Sequence, residues 1–209
     1  MLVLCSNGLS GISLHACLKA RLSGCRTAAL VVTADHQYKK DNYHVPRCRQ
    51  ELEALGLRVD VFDLDEEPAE RLPGYDVVEF IGGNPFYLMD AIRRSGAEAV
   101  LRELALRKTL IGWSAAAFAF GPTLELVHMY SPEMNFLGMS DLSGLGLTDV
   151  QVLPHYGKFL TRFERFEERC RAYEARMGVQ VLRLDDGEGI IIDGEDRVIC
   201  RNAEAKPGL

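Results

Sequence analysis

The sequence of 209 residues lacks a surplus of positive charge and any long apolar run. Its formal net charge of −6 argues against a nucleic-acid partner, because phosphate binding needs a basic face. No apolar run approaches the roughly 18 residues that span a bilayer, so no membrane partner is expected. The N-terminus also lacks the charged and long apolar regions of a signal peptide, and we therefore expect a cytoplasmic protein.

Cysteine motifs are absent as well. The cysteines form no C-x-x-C pair, and none lies near histidines at zinc-finger spacing. The sequence therefore predicts free thiols in a reducing compartment, with neither a metal nor a cofactor. The six cysteines are Cys5, Cys17, Cys25, Cys48, Cys170 and Cys200.

What the sequence does contain is an alternation of short apolar runs with helical patterns. This alternation predicts an α/β fold with a mostly parallel sheet and helices on both faces. The length is that of a single domain, residues 1–209, which can bury a core without disulfides. Strands are predicted at 2–5, 28–33, 58–64, 76–81, 109–113 and 150–153, and helices at 10–22, 47–55, 86–94, 97–107 and 161–177.

The C-terminal part of the sequence is predicted to add antiparallel structure. Residues 179–184 and 189–192 have the pattern of a hairpin, and residues 197–200 of one more strand. Residues 203–209 are predicted to form a loose tail.

Unusual residues follow three of the predicted strands. The segments are Gly82-Gly83-Asn84, Ser114 with the small residues after it, and Pro154-His155-Tyr156. In an open α/β sheet, ligands bind beyond the carboxyl ends of the strands. We therefore expect these three segments to form the functional site.

Ser114 is the candidate nucleophile among these residues. The strand at 109–113 runs directly into a stretch of alanines, which predicts a tight turn that projects the serine hydroxyl above the sheet edge. The N–H groups at the start of the following helix favour negative charge at the same place. An alcohol needs a base to act as a nucleophile, and His155 at a neighbouring strand end is the natural partner.

Each feature also has a simpler interpretation. A serine before an alanine run can be only a helix N-cap, and a histidine at a strand end is more often a surface residue. Gly-Gly-Asn is a common turn, and the G-x-S-x-G pattern is incomplete because Ala116 replaces the last glycine. The functional interpretation is favoured because the three features occur together, in an order that fits one fold.

The segments LCSN, IGGNPFYLMDAIRRSG, LIGWSAAAFAFGPT and VLPHY resemble, in order and spacing, the peptidase E or α-aspartyl dipeptidase family of serine peptidases. The resemblance runs from residue 2 to about residue 192. It implies a glutamine-amidotransferase-like α/β fold and cleavage of short peptides without a metal. The best-known members of the family act on dipeptides with an N-terminal Asp.

The resemblance also implies roles for individual residues. It makes Ser114 the nucleophile and His155 the general base. It implies an oxyanion hole formed by the Gly82-Gly83 turn and the N–H group of Ala115.

Two further residues correspond to substrate contacts in the family. Asn84 resembles a substrate-orienting amide. Arg162 falls where the aspartyl-specific members hold an arginine for the substrate carboxylate, which a guanidinium binds through two hydrogen bonds. The alternative for Arg162 is a solvated charge on a strongly charged helix.

The acid that orients His155 has two candidates. Asp186 follows a predicted strand, and Glu133 lies near an acidic position of the family in a loop of different length. Asp186 is favoured because a strand end positions a side chain more tightly than a long loop does. In the alternative interpretation, these acids and Asp185 are solvated turn residues, and a water molecule orients His155.

The sequence departs from the family pattern at Ala116, where the family has Gly, and at Pro85, where it has Thr. The segment between His155 and Arg162 is also short, which opens the pocket to other substrates. Three hypotheses therefore stay open. They are a serine exopeptidase for small peptides, a related amide or ester hydrolase of the cyanophycinase type, and a small-molecule binding protein that has lost turnover. A homo-oligomer is compatible with the sequence but is not indicated by it.

Overall fold

A seven-stranded sheet forms the centre of the structure, a computed structural model that describes residues 1–202. The tail predicted for residues 203–209 lies outside the described residues. Nine strands occur in the described part of the chain: β1 Leu2–Cys5, β2 Thr27–Val31, β3 Arg58–Phe62, β4 Val77–Phe80, β5 Thr109–Trp113, β6 Gln151–Leu153, β7 Val181–Arg183, β8 Gly189–Asp193 and β9 Asp196–Cys200.

The strand order of the large sheet is β3-β2-β4-β5-β1-β8-β9. The first five strands of this order are parallel, whereas β8 runs antiparallel to β1 and β9 antiparallel to β8. Strands β6 and β7 form a separate two-stranded parallel sheet. The prediction of a mostly parallel α/β sheet is confirmed.

Helices cover both faces of the large sheet. They are α1 Ile12–Arg21, α2 Val45–Ala54, α3 Pro85–Arg94, α4 Ala97–Arg107, α5 Ala115–Phe120, α6 Glu125–Tyr130, α7 Tyr156–Arg162 and α8 Phe166–Met177. The core on one face contains residues of α1 and α2, and the core on the other face contains residues of α3, α4 and α5. None of the helices in residues 1–202 combines the length and the apolarity needed to cross a membrane.

The period of two in the strands explains this two-sided core. Val3 in β1 is paired in register with Ile111 in β5, and both lie in the core beneath α1 and α2. Their neighbours Leu4 and Leu110 lie in the opposite core. Because both faces are covered, the central strands are mostly apolar, and the buried Glu79 in β4 is the charged-type exception among β1, β4 and β5.

The predicted hairpin of residues 179–184 with 189–192 is wrong. Strand β7 pairs with β6, and β8 pairs with β1 and β9. The hairpin is the one between β8 and β9, where Gly194 has a φ of +61° that suits a tight turn. Apolar alternation cannot tell which partner a short strand will choose.

The predicted continuous helix over 161–177 is also wrong. Helix α7 already begins at Tyr156 and ends at Arg162, and α8 begins at Phe166 after Arg165, which has a left-handed φ of +51°. The break lets the rings of Phe163 and Phe166 stack, with centroids 5.5 Å apart. The sequence pattern did not indicate this apolar contact, because most residues around Phe163 and Phe166 are charged.

Candidate active site

Ser114 occupies a strained turn between β5 and α5. Its backbone has φ 53° and ψ −109°, a sparsely populated region for a residue with a side chain. The Ser114 N–H donates to the carbonyl oxygen of Cys5 at 3.1 Å, which fixes the turn to β1. The hydroxyl makes no capping bond to α5. The structure therefore does not use this side chain as a helix cap.

Small residues make the turn possible. A Cβ at Gly112 would lie 2.7 Å from the ring of Phe120, and a Cβ at Gly82 would lie 2.5 Å from the ring of Trp113 and 3.0 Å from Ser114 Cβ. Ala116 is fully buried beneath the turn, so its methyl group fills core space. The departure from the family pattern at this position therefore affects the packing under the nucleophile candidate.

His155 lies beside Ser114 at the end of β6. Its Nε2 is 3.0 Å from Ser114 Oγ, and its Nδ1 is 2.6 Å from Asp186 Oδ1. A carboxylate accepts hydrogen bonds, so Nδ1 is the protonated ring nitrogen in this arrangement and Nε2 is free to accept from a hydroxyl. The His155 backbone is left-handed, with φ 58°, and begins α7 directly after Pro154.

Asp186 reaches His155 from a β-turn of residues 185–188 that follows β7. The Glu188 N–H donates to the Asp185 carbonyl at 2.9 Å, and Gly187 has φ 87°, as the third position of a type II turn requires. Burial raises the pKa of Asp186, but hydrogen bonds from Lys158 and His155 outweigh burial and hold this pKa below its usual range. Asp186 is therefore ionised at neutral pH.

The other acids lie elsewhere. Glu133 is in a 3₁₀ turn, Pro132–Met134, and is exposed to the cavity beside Ser114 without a hydrogen bond to His155. Asp185 accepts a hydrogen bond from the Gly157 N–H at 2.6 Å, at the start of α7. Of the two acids predicted from the sequence, Asp186 is the one in contact with His155.

Sequence reasoning missed two residues that hold this group together. Ser6 is fully buried, and its hydroxyl accepts from the His155 N–H at 2.8 Å and donates to Asp186 Oδ1 at 2.9 Å. Lys158 Nζ lies 2.5 Å from Asp186 Oδ2. The signal for Ser6 was its place just after β1, the strand next to β5, and the signal for Lys158 was its spacing of three residues from His155 on α7.

Free N–H groups surround Ser114. Within residues 1–202, the N–H groups of Gly82, Gly83 and Ala115 take part in no hydrogen bond. Gly83 has φ 149°, and a Cβ there would lie 2.4 Å from the carbonyl oxygen of Ala34. The predicted oxyanion-hole residues thus line the cavities at Ser114 with unused donors.

Asn84 is engaged within the protein. Its Oδ1 accepts from the N–H groups of Phe86 and Tyr87 at 2.9 and 3.1 Å, so that it caps α3, and its Nδ2 donates to the Met134 carbonyl at 2.7 Å. Asn84 lines neither cavity beside Ser114. Pro85 occupies the first position of α3, where no N–H is needed, and does line a cavity.

Two cavities meet at Ser114 and His155. The first, which we call the aromatic pocket, has a volume of about 380 Å³ and is lined mainly by Phe118, Val127, Tyr130, Met134, Phe159 and Phe163, with Glu133 and Arg162 as its charged residues. The second, which we call the polar pocket, has about 470 Å³ and includes Asn7, Asp35, His44 and Lys158. The scissile bond of a substrate at Ser114 would lie between the two.

One side-chain cluster in the described residues has metal-ligand chemistry. Cys48, Glu51 and Glu79 place ligand atoms within 4.8 Å of one another, but none of them lines either cavity at Ser114. The Glu51 oxygens already accept from the Leu9 N–H at 2.8 Å and from Arg47 at 2.7 Å. Burial, and then the nearby Glu51, raise the pKa of Glu79 well above its usual value, which favours a neutral acid.

Comparison with known proteins gives a consistent result. The model of peptidase family S51 matches residues 2–200. The uncharacterized peptidase Lmo0363 of Listeria monocytogenes is 26% identical over 181 residues, which cover 84% of this chain and 86% of the relative. Peptidase E of Streptomyces coelicolor is 29% identical over 178 residues, covering 83% of this chain and 70% of the relative.

Solved structures show the same similarity. A Listeria monocytogenes protein assigned to peptidase E superposes with a TM-score of 0.74 at 26% identity, covering 97% of this chain and 98% of the other. A peptidase from an acI-B1 actinobacterium has the same fold, with a TM-score of 0.67 at 17% identity and coverage of 97% and 91%. Together with the match over nearly the whole sequence, these similarities confirm the resemblance: the chain belongs to peptidase family S51 and is a serine peptidase.

Proposed function

We propose that this peptidase is an exopeptidase for short peptides that uses Ser114 as nucleophile, His155 as general base and Asp186 as the orienting acid. The observation that carries the proposal is the pair of contacts made by His155. Its Nε2 lies 3.0 Å from Ser114 Oγ while its Nδ1 lies 2.6 Å from Asp186 Oδ1. A serine triad requires this order of contacts.

In the first step, Ser114 Oγ attacks the carbonyl carbon of the scissile bond and its proton moves to His155 Nε2. The ionised Asp186 stabilises the imidazolium that forms. The negative oxygen of the tetrahedral intermediate accepts hydrogen bonds from the free N–H groups of Gly82 or Gly83 and of Ala115. Each such donor lowers the barrier by roughly 3–4 kcal/mol on the usual mutagenesis scale.

In the second step, the C–N bond breaks and His155 donates its proton to the leaving amine. The acyl group stays as an ester on Ser114 Oγ. A water molecule then attacks this ester while His155 accepts its proton, and the proton returns to Ser114 when the acid product leaves.

The size and charge of the site support short substrates. Cavities of about 380 and 470 Å³ on the two sides of Ser114 have room for a few residues at most. Arg162 lines the aromatic pocket and forms no ion pair within the described residues. We propose that its guanidinium binds a carboxylate of the substrate, such as the side chain of an N-terminal Asp.

A fluorophosphonate probe and a dipeptide library test the proposal together. The wild type is expected to label at Ser114 and to cleave dipeptides, and Ser114→Ala is expected to do neither while remaining folded. Labelling with cleavage of esters or other amides only would favour the related hydrolase. Peptide binding without labelling would favour a binding protein, and turnover that persists in Ser114→Ala would refute the triad.

A further inference from the structure

One wall of the aromatic pocket consists of aromatic side chains that lie next to His155. On α7 and just beyond it, Phe159, Arg162 and Phe163 follow His155 at spacings of four, seven and eight residues, which is one face of a helix. The His155 and Phe159 ring centroids are 5.8 Å apart, and those of Phe159 and Phe163 are 5.4 Å apart. The sequence therefore places an aromatic wall directly beside the reaction site.

Contacts with neighbouring rings hold this wall in place. The Tyr130 ring lies 5.1 Å from Phe159 and 5.2 Å from Phe163, and the buried Phe166 ring lies 5.6 Å from Phe159. Edge-to-face and tilted ring contacts of this kind hold aromatic side chains in place. The pocket is thus formed before any ligand enters it.

Part of the apolar surface of this wall is exposed to the pocket when no ligand is bound. Helix α7 has no fully buried residue, and Phe159 and Phe163 are only half-buried although they face the pocket. Apolar surface that faces a water-filled cavity gains free energy when an apolar group covers it. The pocket volume of about 380 Å³ leaves room for a large apolar side chain of a ligand.

Charge is confined to two residues of the pocket lining. Arg162 stacks on Phe163, with its guanidinium carbon 5.3 Å from the ring centroid, and Glu133 is exposed. Neither side chain forms an ion pair within residues 1–202. A ligand that combines an apolar side chain with the charged ends of a short peptide complements both parts of the pocket.

We infer that the aromatic pocket is a subsite for a large apolar side chain, aromatic or leucine-sized, on one of the two residues that flank the scissile bond. The inference rests on the proposed function for the position of that bond. It adds a specificity that Arg162 alone does not give, because a carboxylate at Arg162 leaves the aromatic wall uncovered.

Two dipeptide series test the inference. In X-Ala and Ala-X, X is Gly, Ala, Leu, Phe or Asp, and kcat/KM is measured for each. We expect one series to rise by about tenfold or more from Ala to Phe, the scale on which apolar pockets discriminate. Phe159→Ala should remove most of this rise, so that the ratio of kcat/KM for the Phe substrate to kcat/KM for Ala-Ala falls towards one, because only the larger side chain uses the wall.

Two further variants are needed to interpret this result, one as a control and one as a substitute for Phe159→Ala. Leu160→Ala is the matched control, since Leu160 is an apolar residue of α7 that is 44% exposed and does not line the pocket. It should change neither substrate series. Phe163→Ala replaces Phe159→Ala if the latter does not fold. Cleavage without a preference for large apolar X, or equal loss on all substrates in the Phe variants, would overturn the inference and leave the proposed function intact.

Failure of the proposed function has a different signature. If the wild type cleaves no dipeptide of either series, calorimetric binding of Ala-Phe, Phe-Ala and Ala-Ala to Ser114→Ala decides the matter. Tighter binding of a Phe peptide, lost in Ser114→Ala with Phe159→Ala, supports the apolar subsite in a protein without peptidase turnover. Equal affinities, or no binding, overturn the subsite.

Discussion

The hydroxyl of Ser6 accepts a hydrogen bond from the backbone N–H of His155 across 149 residues of sequence. Because the same hydroxyl donates to Asp186, one buried side chain sets the positions of both groups relative to each other. In Ser6→Ala, the His155 N–H loses its acceptor and Asp186 loses a donor. We expect kcat to fall by roughly tenfold to 100-fold with little change in KM, as for a group that orients a catalytic residue.

The control for Ser6 is Ser10→Ala, which removes an exposed hydroxyl from the same loop. Its kcat should equal that of the wild type. The pKa of Asp186 separates positioning from general damage. The Ser6 hydrogen bond helps to lower the pKa of Asp186, so in Ser6→Ala the Asp186 carboxylate should titrate at higher pH, as followed by NMR. A lower kcat with an unchanged pKa of Asp186 would argue against this role for Ser6.

The choice between the two acids can be tested by kinetics. Asp186→Asn keeps the shape of the side chain but offers an amide to His155 Nδ1, which favours the wrong tautomer. We expect kcat to fall on the order of 10³–10⁴-fold, as for other triads. Glu133→Gln, compared at equal free energy of unfolding, should keep most of the activity. The reverse order would give the orienting role to Glu133.

Arg162→Ala tests carboxylate recognition. If Arg162 binds the side chain of an N-terminal Asp, kcat/KM for Asp-Ala should fall by about tenfold or more, and that for Ala-Ala much less, because the lost ion pair concerns only the acidic substrate. Arg176→Ala is the matched control, because it removes an exposed arginine of α8 that lines neither the aromatic pocket nor the polar pocket. Equal losses on both dipeptides would place Arg162 outside side-chain recognition.

Glu79 predicts a pH dependence of stability. Its oxygens have no hydrogen-bond partner in the described residues, and burial raises its pKa far above that of an unfolded Glu. The folded state therefore holds a proton that the unfolded state releases above its own pKa of about 4.3. Stability relative to Glu79→Gln should be greatest below this pH and should decrease as pH rises towards the folded pKa. Thermal unfolding of both proteins between pH 4 and 9 measures the difference, and parallel curves would contradict a neutral Glu79.

Features of the site that depend on local sequence patterns could be predicted from the sequence. Ser114 and His155 were expected to lie close together because each follows an apolar strand, and ends of parallel strands meet at one edge of a sheet. The two residues do meet, but His155 follows β6 of the small sheet rather than a strand of the large sheet. The role of Asn84 could not be predicted in the same way. An asparagine at this turn can either cap the following helix or bind a ligand, and the sequence is the same in both cases. Ser6 and the β6–β7 pairing depend on contacts between distant segments, which neither propensity nor periodicity encodes.

The small β6–β7 sheet has a consequence for motion. His155 follows β6 and Asp186 follows β7, whereas Ser114 and Gly83 follow strands of the large sheet. Three residue pairs join β6 to β7, against a continuous ladder through the central strands. The free energy of local opening is lower for a short ladder than for central strands, so the amide hydrogens of a short ladder exchange faster. The amides of β6 and β7 should therefore exchange with deuterium sooner than those of β1 and β5, so that the strands that carry His155 and Asp186 open more readily than the strand that carries Ser114.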